Sequence, residues 1–104
     1  MKDNIWIGLV CLSGSPDNPI LDGCLGAYVN TLAWAENIEE FRQTVYRNSL
    51  EIQLKVDEIL WAEPIEIRLK KNEIDDYLIE LANEIEKKGD CRFGIFHAWE
   101  EREH

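Results

Sequence analysis

The 104-residue chain is short of basic residues: 11 Lys and Arg stand against 21 Asp and Glu, a net charge of −10. That balance repels a polyanion such as DNA or RNA, whose backbone needs clustered cations, so no nucleic acid is expected as a partner. Long apolar runs are missing too. None approaches the ~20 residues of a membrane-spanning helix, so no membrane is expected either. The opening Met-Lys-Asp-Asn lacks the basic region and small-residue cleavage site of a secretion signal, which makes a cytoplasmic location the expectation. Cysteine is sparse. Cys11, Cys24 and Cys91 form an odd, irregularly spaced set, which is not a disulfide framework, and two of them fall in strand-like stretches as small apolar residues.

Catalytic and cofactor signatures are also lacking. No Cys-x-x-Cys or His-Glu-x-x-His spacing occurs, and His97, Glu100, Glu101 and His104 make only a loose tail group, so neither metal nor other cofactor is expected. The Gly-containing connection 13–26 has no Gly-Lys-Ser/Thr and leads into a strand, which excludes a P-loop. Cys24 is the best nucleophile candidate, yet nothing basic lies near it in sequence, and His97 is the one histidine within the fold. Cys91 and His97 share a strand face but sit about 20 Å apart along an extended chain, too far for a dyad. Asp17 and Asp22 are loop carboxylates without a partner that sequence supplies. No catalytic residue is assigned.

What is present is a neutral ribbon in a charged chain. Residues 26–35 carry no charge although 31% of the residues do, and neither face of the stretch is plainly polar, as in a strand covered on both sides. Residues 4–12 form a second uncharged run, rich in β-branched and aromatic types, and read as another strand. Between them, 13–26 is turn-forming: Pro16 and Pro19 favour extended predecessors, and Asp22-Gly23 suits a tight turn. A connection of that length is either a long ordered loop or a binding loop.

Beyond residue 35, Asn37 and Glu40 form a capping-box pattern. Ile38, Phe41 and Val45 then give a helix to about Arg47, with Asn48 as its left-handed cap. From 51 the period becomes two through Ile52, Leu54 and Val56. It slips at Asp57-Glu58, which predicts a β-bulge, and resumes with Ile59 and Trp61. Residues 62–64 make a turn, and Ile65, Ile67 and Leu69 alternate as a further strand. Asn72 caps a second helix, whose stripe Ile74, Tyr77, Leu78, Leu81, Ala82, Ile85 ends at Gly89. Cys91–Trp99 closes the set as a strand, followed by a charged, frayed tail.

The fold class implied is α+β. From Gly26 onward the order is strand, helix, strand, strand, helix, strand: a ferredoxin-like βαββαβ sandwich with an additional N-terminal strand, both helices on one face. One domain over 1–104 is expected, made of the extra strand 4–12, the loop 13–26 and the core 26–99. On the face without helices, Gln53, Lys55, Glu66 and Arg68 make one half polar. Phe96, with Tyr28 and Trp34 or their smaller odd-numbered neighbours, makes the other half apolar. Such a patch needs a cover. Aromatics on an open sheet also describe an RNA reader, but the Lys/Arg-Gly-Phe motif is missing and the charge opposes it.

The functional expectation is an acidic, non-enzymatic protein-binding domain. Tyr28, Trp34 and Phe96 would meet the partner, along with Asp17 and Asp22 of the loop, since tryptophan and tyrosine are frequent anchors. An inhibitor or immunity-type protein that neutralises a basic target is its sharpest version. The competing expectation is a ferredoxin-like homodimer, with sheets packed face to face, that senses a ligand or acts as a small enzyme.

Overall fold

The uncharged N-terminal run is not an appendage. In a computed structural model, which describes residues 4–15 and 17–99, it forms β1 (Ile5–Ser13) and lies inside the sheet. The other elements are β2 (Gly26–Trp34), α1 (Ile38–Glu51), β3 (Lys55–Pro64), α2 (Ile65–Lys71), α3 (Asp76–Glu84) and β4 (Cys91–Trp99). Among the described residues the fold is α+β, with one four-stranded sheet ordered β3-β1-β2-β4 and three helices. Every neighbouring pair of strands is antiparallel. Both central strands are the uncharged ones, as burial on two faces requires.

This arrangement corrects the ferredoxin-like expectation in three places. First, β1 occupies the seat between β2 and β3. Second, residues 65–71 are helical. Ile65 and Leu69 stand four apart, so the one is buried and the other half-buried against the same cluster, whereas Ile67 faces outward. Pro64 stands as the N-cap, just before the first helical residue, where its missing N–H removes no bond within the helix. Asn72 ends α2 in the left-handed conformation, φ 58°, and α3 starts after Asp75. Third, the helices lie on both faces of the sheet.

α1 covers one face, with Phe41, Thr44, Val45 and Ser49 turned inward. It runs past Asn48 because that side chain bonds back to the Thr44 carbonyl at 2.7 Å, and the chain turns at Gln53 with φ 61°. Phe41 sits directly over Gly8: a Cβ there would lie 3.0 Å from the Phe41 ring and 2.7 Å from the Trp61 carbonyl. Residues 14–25 complete this cover. Leu21 and Cys24 join the same cluster as Val10, Leu12, Val29 and Phe41. Asn18 pins the loop, donating to the carbonyls of Ile52 (2.9 Å) and Gln53 (3.2 Å) while its Oδ1 accepts from Ile20 N–H.

On the other face, Ile5, Ile7 and Leu32 pack with Ile65 of α2 and with Leu78, Ala82 and Ile85 around α3. These two short helices lie over one end of the sheet only. Among the described residues no helix is long and apolar enough to cross a membrane. The charged tail 100–104 and Pro16 lie outside the described residues.

Candidate functional site

Strand register builds the candidate site. Cys11 of β1 stands opposite Tyr28 of β2 and Glu58 of β3, and Tyr28 stands opposite His97 of β4. Glu58, Cys11, Tyr28 and His97 therefore form one row across all four strands, on the face that carries α2 and α3 but beyond their reach. Cross-strand neighbours in such a row lie about 5 Å apart. Cys11 is buried at its floor, Tyr28 is 42% exposed, and Glu58 and His97 are exposed.

The expected bulge shapes one end of the row. Cys11 pairs with Glu58 but Leu12 with Val56, so Asp57 is the inserted residue. Its carboxylate reaches this face as well, accepting from the Ser13 hydroxyl at 2.9 Å with Lys55 Nζ at 3.8 Å. Two adjacent carboxylates thus border the thiol and the phenol, around a depression of about 390 Å³ lined by Cys11, Tyr28, Asp57 and Glu58. Trp61, opposite Leu9, marks where helix cover begins. The Arg68 guanidinium of α2 lies 4.0 Å above its ring and bonds Glu63 at 2.8 Å.

A second bulge sorts the aromatic residues of β4. Val29 pairs with Phe96 and Thr31 with Phe93, so Gly94 and Ile95 together oppose Asn30. Phe93 and Phe96 consequently share the α1 face, with ring centroids 6.0 Å apart. Tyr28 and Phe96 lie on opposite faces. Trp34 shares the face of Tyr28 but sits about 20 Å away along β2, packed against the α3 cluster. There it lines a separate cavity of about 390 Å³ with Glu40, Thr44, Arg47 and Lys88. Lys88 lies 5.9 Å from the Trp34 ring and 3.1 Å from Glu40. The Glu36 backbone N–H, and then Lys88, hold the Glu40 carboxyl below its ordinary range.

Asp17 and Asp22 are exposed on the loop that covers the α1 face. Asp22 (φ 48°) and Gly23 (φ 89°) make the tight turn there. Of the five residues expected to meet a partner, the structure keeps Tyr28 on the open half and places Trp34, Phe96, Asp17 and Asp22 elsewhere. The residues that border Tyr28 are Glu58, Asp57, Cys11 and His97. The period slip at Asp57-Glu58 was the one local signal for any of them.

The row does not bring its thiol and its imidazole together. Cys11 and His97 stand two strands apart, about 10 Å, with Tyr28 between them. Cys24 packs into the α1-side cluster, on the far face from His97. Burial pushes the Cys91 thiol up to about 12, a rise that Arg92 opposes and Glu51 adds to, so it stays protonated and inert at neutral pH. None of the three cysteines forms a disulfide, and among the described residues no three His, Cys, Asp or Glu side chains gather as metal ligands. Compared with known proteins, the chain matches no family model, no curated protein and no solved structure.

Proposed function

We propose that this protein is a non-enzymatic binding domain whose uncovered half-face docks a basic segment of another protein. The observation that carries the reading is the row Glu58–Cys11–Tyr28–His97 with Asp57 beside it. It combines an aromatic platform and an apolar floor with two carboxylates, on a chain of net charge −10. A Lys or Arg side chain suits all of these at once: its stem lies along the ring while its head meets the carboxylates. The negative field of the whole molecule would speed the encounter and select against acidic partners. An inhibitor-type role, in which this small domain masks a basic functional surface on its target, is the specific form of the proposal.

Titration calorimetry of the full chain against a panel of strongly basic folded proteins tests it. A micromolar complex that weakens with added salt is expected. Tyr28→Ala or Glu58→Lys should weaken it roughly tenfold or more, while Tyr46→Ala, at an exposed position on α1, should leave it unchanged. The reading is dropped if no salt-sensitive complex forms, or if the α1 variant does as much damage as the other two.

A further inference from the structure

At the end of β2 away from Tyr28, the cavity of about 390 Å³ beside Trp34 is built into the fold. Its walls are the end of β2, α1 and the turn 86–90, and each is tied to the others. Trp34 N–H donates to the Asp90 carbonyl at 3.2 Å. Asn48 Nδ2 reaches from α1 to the Gly89 carbonyl at 3.4 Å, and Lys88 meets Glu40 at 3.1 Å. The turn is closed by the Asp90 carboxylate, which accepts from the Glu86 and Lys87 N–H groups at 3.3 and 3.2 Å, and by Gly89 at φ 93°. A recess held in this way needs no rearrangement to receive a ligand, and its size suits a small molecule.

Two groups in its wall want a partner. Thr44 is 4% exposed, and its hydroxyl oxygen accepts from Arg47 Nη2 at 3.5 Å. Among the described residues its O–H donates to no acceptor, a costly state for a group so buried. Arg47 stands three residues on, on the same side of α1. Among the described residues no carboxylate lies within 4 Å of its guanidinium, although Arg68, Arg92, Lys55 and Lys88 each have one. Because Lys88 already holds Glu40, Arg47 is the cation left over. The cavity thus has two cations and one carboxylate in its lining, in a chain of net charge −10.

We infer that this cavity binds a small aromatic carboxylate. The carboxylate accepts from the Thr44 O–H and from the Arg47 guanidinium, a charge-assisted arrangement that suits a planar anion. The ring lies against the half-buried Trp34 indole. The charge of the lining selects a monoanion. A phosphate would carry its second negative charge toward Glu40, whose carboxyl the Glu36 N–H and Lys88 hold below its ordinary range. This site shares no residue with the docking row, so it stands whether or not that row binds a basic protein.

Titration of the full chain with benzoate, followed by the chemical shifts of amide and indole N–H groups, tests the inference. Shifts centred on Trp34, Thr44, Arg47 and Gly89 are expected, saturating with a dissociation constant of about 0.1–1 mM. Benzyl alcohol, which keeps the ring without the charge, and inorganic phosphate should each bind roughly tenfold more weakly. Arg47→Gln should weaken benzoate roughly tenfold. Arg42→Gln, the same change of charge at an exposed α1 position outside the cavity lining, should leave it unchanged. Thr44→Val separates a binding role from a structural one. Deleting a hydroxyl that donates to nothing should not lower stability in denaturant unfolding, yet should weaken benzoate about threefold or more. The inference is overturned if no saturable shifts arise at these residues, or if phosphate or benzyl alcohol binds as tightly as benzoate. It is overturned equally if Arg42→Gln does the damage of Arg47→Gln, or if Thr44→Val binds benzoate as before.

Discussion

The two faces of the sheet meet the same problem with different resources. Strands of nine residues run about 30 Å, while the 14-residue α1 is only about 21 Å long, so no single helix here can roof a face. On the α1 side the 14–25 loop makes up the difference, with Leu21 and Cys24 set into the core. On the other side α2 and α3, of 7 and 9 residues, lie over one end, and among the described residues nothing further arrives. A loop rich in turn formers can thus be structural, while the opening arises where no such loop exists. Long connections invite a functional reading; here the hydrogen bonds of Asn18 argue for a lid held shut.

The contrast between the faces is greatest at the most sealed point of the α1 side. Phe41 is fully buried, rests on the gap that Gly8 leaves, and stacks at a tilt against Trp6 with centroids 6.4 Å apart. Phe41→Ala empties that space and is expected to cost about 3–5 kcal/mol in denaturant unfolding. A loss near 1 kcal/mol would mean that the α1 face can collapse and is less rigid than described.

How far the sequence foretold this contrast depends on the range of the interaction. Local signals were readable. Asn37 Oδ1 accepts from Glu40 N–H at 2.9 Å, as the capping pattern required, and the Asp57 bulge and the Asp22-Gly23 turn fall where period and composition placed them. Short apolar segments were ambiguous: Ile65, Ile67 and Leu69 fit a period of two, but Ile65 and Leu69 fit one helical face equally well. Burial against Ile5 and Ile7 decided the matter. The seat of β1 depends on pairing with residues far along the chain, for which its own apolar faces carry no address. The Gly94-Ile95 bulge was silent too, and it alone moves Phe96 to the face opposite Tyr28. The candidate row needs all four strands in register, so no stretch of sequence contains it.

A milder perturbation asks whether the loop is truly a lid. Asn18→Ala removes both donations to the Ile52 and Gln53 carbonyls and the bond from Ile20 N–H, leaving those groups to find water. The expected loss is about 1–2 kcal/mol, with faster proteolysis within residues 14–25 and little change in the α2–α3 half. An unchanged stability would show that the loop is held by Leu21 and Cys24 alone, and the two faces would then differ less than their hydrogen bonds suggest.

The smallest effect on stability is expected where the largest effect on binding is proposed. Tyr28 stands opposite Cys11 and His97 across the strands but keeps much of its surface in water, so Tyr28→Ala should cost less than about 1 kcal/mol. A core residue and a docking residue of similar size are thereby told apart by one pair of numbers, the Phe41 loss against the Tyr28 loss. Should the two prove equal, the open half is part of the core in solution. Covered by its own chain or by a second copy, Tyr28 would then have no surface left to offer a basic partner. A ratio of three or more, with Tyr28→Ala folded and inert toward basic proteins, is what a half-face kept for recognition requires.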